Sequence, residues 1–164
     1  MILRCTGRLL KILGNQELAE AEPSGDDWYA NLVWLDGRKW VLLVHAATLF
    51  PIYVPDVRAN ELRPIAPFVS AHIEDALRRE TLPPDTFGPL DPNEVRVAKT
   101  ASKSIVASMN DMQQQARHRL RYFGSLDPSD ANALNRELRH TPYGARDYAY
   151  PIELAAQQAA KLHP

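Results

Sequence analysis

The run WYANLVWLDGRKWVLLVHAATLF, residues 28–50, limits what this chain can fold into more than any other stretch. Asp36-Gly37 sits between two segments rich in Val, Leu and Trp, and a two-residue type I′ turn needs positive φ at both central positions, which Asp and Gly tolerate. The reading is a β-hairpin. With a side-chain period of two, Tyr29, Asn31, Val33 and Leu35 share one face with Trp40, Leu42 and Val44. Trp28, Ala30, Leu32, Trp34, Val41, Leu43 and His45 occupy the other. Both faces are apolar, so each needs covering structure, from this chain or from a partner.

The rest of the chain supplies candidates for that cover. Ile2 to Cys5 is β-prone, and Leu9, Leu10 and Leu13 line one face of a short helix stopped at Gly14 and Asn15. Residues 17–27 form an acidic loop containing Pro23 and Gly25. A third strand is expected over Leu49 to Val54, at an edge because Pro51 cannot donate to a ladder. From Arg63 to about Thr81, Ile65, Phe68, Val69, His72, Ile73, Ala76 and Leu77 recur at helical spacing. The proline-rich stretch 82–94 reads as a connector, followed by a strand around Val95 and Val97. Ser102 or Ser104 can cap the longest helix, whose apolar stripe is Ile105, Met109, Met112, Ala116, Leu120 and Phe123, with Gly124 closing it. Asp127-Pro128 starts a helix to about His140 with a thin stripe of Ala131, Leu134 and Leu138, and Pro151 opens a last short helix. The expected fold is α+β: a small, mainly antiparallel sheet around the hairpin, packed by a long helix and further C-terminal helices. Residues 1–124 form the core and residues 125–164 a helical arm, packed on that core or on a partner, in one domain overall.

With 164 residues the chain can bury a sizeable core without staples. Its single cysteine, Cys5, excludes an intramolecular disulfide and a cysteine-based zinc site. No signal-peptide pattern and no long apolar span are visible, so the expected compartment is the cytoplasm, with no membrane role. Net charge is −1, yet residues 1–98 carry −4 and residues 99–164 carry +3. That bias is far from the strongly basic footprint of a dedicated nucleic-acid binder.

Candidate chemistry is sparse. Asn31, His45 and Thr48 interrupt the hairpin segment, and Ser108 and Asp111 of the SMND stretch lie three apart on neighbouring faces of the long helix. Were the Met109–Met112 stripe packed on the Asn31 face, Ser108 or Asp111 could reach the Asn31 amide, which is expected to be buried and hydrogen-bonded. The structural reading of this cluster is favoured, since an acid beside an amide and a hydroxyl lacks a base or metal partner. Among His45, His72, His118, His140 and His163, no two within one element stand at metal-ligand spacing, so neither a metal site nor a cofactor is implied. His45 and His72 could still converge from different elements with Asp111 or Glu74. The end of the long helix is basic, with Arg117, His118, Arg119 and Arg121, and Arg136, Arg139 and His140 follow on the next helix. Part of this complements the helix macrodipole. Arg117, Arg119 and Arg121 do not all project to one side, so nucleic-acid binding through them is expected to be weak and salt-sensitive at most. Tyr143, Tyr148 and Tyr150 are expected to pack the C-terminal arm.

Taken together, the opening MILRCTGRLLKILG, the hairpin segment and KSIVASMNDM resemble an uncharacterised bacterial domain family of unknown function. The resemblance implies a compact cytoplasmic α+β module and carries over no catalytic or binding residue. LNRELRHTPYGARDYAYPIEL (134–154) is also similar to the Tyr-x-x-Pro-x-Glu pattern near the end of transposase catalytic domains; with no spaced carboxylate triad elsewhere, it reads as helix-start chemistry. The sequence therefore points to a non-enzymatic binding or regulatory module acting through protein contacts, with Asn31, His45, Thr48, Ser108, Asp111, Arg117 and Arg121 as candidate binding residues. The runner-up is a small enzyme on nucleic acid or nucleotides using Asp111, His45 or His72 and the arginines at 117–121. Uncovered apolar surface further suggests a homodimer, with the arm from Tyr143 onward near the interface.

Overall fold

A computed structural model describes residues 1–162; His163 lies outside them. Five strands form one sheet in the order β4-β3-β2-β1-β5: β1 (Ile2–Cys5), β2 (Trp28–Leu35), β3 (Arg38–His45), β4 (Pro51–Val54) and β5 (Arg96–Lys99). The hairpin forms as read, from Trp28↔His45 to Leu35↔Arg38, with Asp36 at φ 50° and Gly37 at φ 70° in the turn. The fold is α+β as expected, but the sheet is mixed rather than mainly antiparallel. β2 pairs with β3 and β3 with β4 antiparallel, whereas β1 lies parallel to both β2 and β5. The reason is connectivity: α1 (Gly7–Leu13) and the acidic loop return the chain to the starting end before β2 begins, and a crossover of that kind produces parallel neighbours.

Each face of the sheet is covered by the chain itself. Trp28, Ala30, Leu32, Val41 and Leu43 join Leu9 and Leu13 of α1 and Ile65, Val69, Ile73 and Leu77 of α2 (Ile65–Arg79) in one buried cluster. Tyr29, Val33, Trp40, Leu42 and Val44 pack against Ile105, Met109, Met112 and Ala116 of α3 (Lys103–Phe123). Ala131, Leu134 and Leu138 of α4 (Ala131–Arg139), with Leu126 and Tyr143, complete that second cluster, and Ala155 of α5 (Pro151–Leu162) reaches the first. The cover that the sequence left to the arm or to a partner copy thus comes from the chain itself, α1 and α2 on one face and α3 with the C-terminal segment on the other. Ser102 caps α3 and Gly124 closes it in the left-handed conformation, as the spacing predicts. Phe123 departs from its predicted place: the apolar stripe runs one turn past the sheet, leaving that ring 62% exposed.

Both sheet edges are blunted. On the β5 side Ala19 donates its N–H to the Val97 carbonyl at 2.7 Å. On the β4 side, where Pro51 lies as predicted, the Asn135 carboxamide of α4 accepts from Tyr53 N at 2.6 Å and donates to Tyr53 O at 3.0 Å. One amide side chain there replaces the neighbouring strand.

Candidate functional site

His45 and Thr48 belong to the turn that leads from β3 to β4. Leu49, at φ 55°, donates to the His45 carbonyl at 2.9 Å, and His45 donates to the Phe50 carbonyl at 3.1 Å. The His45 Nδ1 is 3.0 Å from Thr48 Oγ1, which also accepts from Phe50 N at 3.2 Å. The ring is fully buried against Phe87 and Trp28, with centroids 4.3 and 5.2 Å away. Burial, assisted by the nearby Arg146 charge, pulls its pKa down to about 3, so it is neutral at physiological pH. From the C-terminal segment, Arg146 donates to the Ala47 carbonyl at 2.6 Å and to that of Ala46. This pair braces a turn and faces no open surface.

The other polar residues singled out in the sequence lie apart from it. Asn31 is hydrogen-bonded, as expected, but only half-buried, and its partner is Thr6, whose hydroxyl donates to Asn31 Oδ1 at 2.7 Å. Ser108 is buried and donates to the Ser104 carbonyl at 3.2 Å, one turn back in its own helix, while Asp111 is exposed. The expected link from Ser108 or Asp111 to Asn31 therefore does not form: the Ser108 hydroxyl is used within its own helix, Asp111 is exposed, and the Asn31 oxygen is taken by Thr6, just after β1. His72 sits half-buried against Phe68 in a narrow cleft between α2, β4 and α4, near Asp75, Arg79 and Asn132. Burial lowers its pKa, and Asp75 is already held by Arg78 and, at 2.6 Å, by Arg79. His45, His72, Asp111 and Asn31 do not converge. Among the described residues no group of three or more His, Cys, Asp or Glu side chains is placed to hold a metal ion.

Two buried arginines went unrecognised in the sequence as structural. Arg4 pairs with Asp27 at 2.5 Å and also donates to the carbonyls of Ala21 and Lys99, at 2.8 and 3.3 Å. Arg139, read as part of a basic surface, is instead buried: it bonds Glu80 at 2.6 Å and the Pro51 carbonyl at 3.2 Å, with its guanidinium 4.3 Å from the Phe50 centroid. Its burial was encoded in spacing. Ala131, Leu134, Asn135, Leu138 and Arg139 recur at helical intervals and together make the buried face of α4.

With Arg139 withdrawn, the remaining basic residues form a smaller surface where the end of α3 meets the outer side of α4. An open cleft of about 570 Å³ is lined by His118, Arg119, Arg121, Tyr122, Phe123 and Glu137, among others. A second, of about 580 Å³, continues it along Asn132, Arg136, Glu137 and His140. Arg119 bridges the helices to Glu137 at 2.5 Å and lies 4.9 Å from the Phe123 ring centroid. Tyr122, 78% exposed, meets Phe123 edge-on at 4.9 Å. Among the described residues Arg121 and Arg136 form no ion pair. Arg117, expected alongside Arg121, is half-buried and does not line this cleft. Two exposed rings, one of them with Arg119 over it, and two unpaired guanidiniums thus share one surface.

A family model described as Domain of unknown function (DUF6933) matches residues 2–154. No curated protein and no solved structure matches the chain.

Proposed function

We propose a function for a chain that belongs to the DUF6933 family, a domain of unknown function, from its own surface, since membership brings no activity with it. The chain is a cytoplasmic, non-catalytic binding module, and its contact face is the end of α3 together with the outer side of α4. The observation that carries this reading is the exposure of Tyr122 and Phe123 among Arg119, Arg121 and Arg136. Isolated exposed apolar residues need no explanation, but two adjoining aromatic rings at the end of a core stripe cost solvation and indicate a contact surface. The uncompensated guanidiniums select a partner bearing carboxylates or phosphates, which they can engage in bidentate fashion. Self-pairing through this same patch would bring two surfaces of the same sign together, each with Arg121 and Arg136 unpaired, so a polyanion is a better occupant than a second copy. A protein partner, expected from the sequence because the sheet faces looked uncovered, loses that support now that both faces are packed internally.

The enzyme reading would need His45, His72 or Asp111 to work together, and the separation of these groups favours the binding module. The test is binding of polyphosphate and of polyglutamate at low salt, measured for the native protein and for Arg121→Glu combined with Arg136→Glu. Retention of at least one polyanion by the native protein, lost in the variant, is expected. No binding of either, or equal binding by the variant, would overturn the proposal.

A further inference from the structure

We infer that the ligand of this face is single-stranded nucleic acid; the inference rests on the binding reading above and names its partner's chemistry. Three features of the surface argue for it. The first is the pairing of exposed π-faces with cations. Tyr122 and Phe123 meet at 79°, so the two rings are differently directed; Arg119 lies over the Phe123 ring, leaving Tyr122, 78% exposed, as the more open platform, while Arg121 and Arg136 stand without ion pairs. Bases of any identity stack on such rings while arginines follow the phosphates.

The second is the nature of the surround. Protein–protein hot spots place aromatic anchors in dry, well-packed surroundings. Here the side chains that line the cleft with the rings, Gln114, Gln115, His118, Arg119, Arg121 and Glu137, are all polar, and none of them makes an aliphatic rim. Base stacking needs no such rim. The third is the identity of the cations: they are all arginine, with no lysine in either cleft, and the planar guanidinium can both fork to phosphate and stack on a base. A duplex would present its phosphates but keep its bases paired away from the rings, so unpaired strands are favoured. With few cations and a net charge of −1, affinity is expected in the micromolar range at low salt.

Fluorescence anisotropy with labelled U20 and dT20 tests this, with polyphosphate of equal charge and a hairpin duplex as competitors. Binding of either single strand, tighter than to polyphosphate or duplex, is expected. Tyr122→Ser and Phe123→Ser are each expected to weaken it by roughly 5- to 100-fold, as loss of one stacking platform does. Because both rings are exposed, the variants should keep the native melting temperature and circular dichroism, which separates lost binding from lost folding. Arg121→Gln should reduce the slope of log K against log salt by about 0.7. Equal binding of duplex and single strand with no effect of the serine variants would overturn the inference. So would retention of polyglutamate alone, which would leave the binding module standing with an acidic protein as partner. No binding of any polyanion would overturn both.

Discussion

At the scale of single residues, the buried polar groups set how this protein responds to pH and to substitution. His45 ionises at about 3 in the folded chain, against 6.5 for the free side chain. Its folded pKa is depressed, so the unfolded chain takes up the proton first as pH falls below 6.5, and stability is lost progressively toward pH 3. Chemical denaturation should therefore show about 1.4 kcal/mol lost to this residue between pH 7.5 and 5.5, a loss much reduced in His45→Gln. Half-buried His72 shifts in the same direction, so the comparison with the His45 variant, not the native curve alone, isolates the term. Arg4 and Asp27 form a buried ion pair. Asp27→Ala leaves the guanidinium buried without its carboxylate and should cost about 3–5 kcal/mol in urea unfolding, while Arg4→Met with Asp27→Leu should recover most of that loss. Cys5, whose thiol burial pushes up to about 12, should resist alkylation in the native protein and react only when the chain unfolds. Little of this was legible in the sequence. Cys5 was visible only as a lone cysteine, and His45 as a polar interruption and candidate site residue, with nothing to show that its ring is fully buried. Asp27 lay at the end of an acidic loop with nothing to say that Arg4, on another strand, would close over it.

Among the elements, local pattern and long-range pairing separate cleanly. The hairpin, its two faces, the edge position of β4, the Ser102 cap and the Gly124 stop all depend on neighbours a few residues apart, and each is present as read. The parallel pairing of β1 with β2 and β5 depends on where a crossover sends the chain, and four-residue strands carry too little pattern to announce their partners. The end of α3 shows the same limit from the other side. Helical periodicity places Phe123 on the core stripe, but the sheet beneath ends first, so an apolar ring becomes surface. The Asn135 bonds to Tyr53 lend themselves to a direct check. Asn135→Leu keeps the volume of the site but orphans a backbone donor and acceptor of β4. A loss of about 1–3 kcal/mol is expected, together with faster amide exchange at Tyr53.

For the molecule as a whole, both sheet faces are packed by the chain's own helices, and light scattering at micromolar concentration should give the 18.5 kDa monomer. Among the described residues no helix is long and apolar enough to cross a membrane. Trp34 and Tyr148 are also exposed, but the end of α3 and the outer side of α4 bring two exposed rings together with the unpaired Arg121 and Arg136, and the functional reading stands or falls on that surface. The most direct measurement is amide chemical-shift mapping during titration with U20. Perturbations confined to 114–124 and 132–140 are predicted, with Trp34 and the hairpin tip unmoved. Shifts centred instead on His72, Asp75 and Arg79, or spread evenly over the surface, would contradict the account.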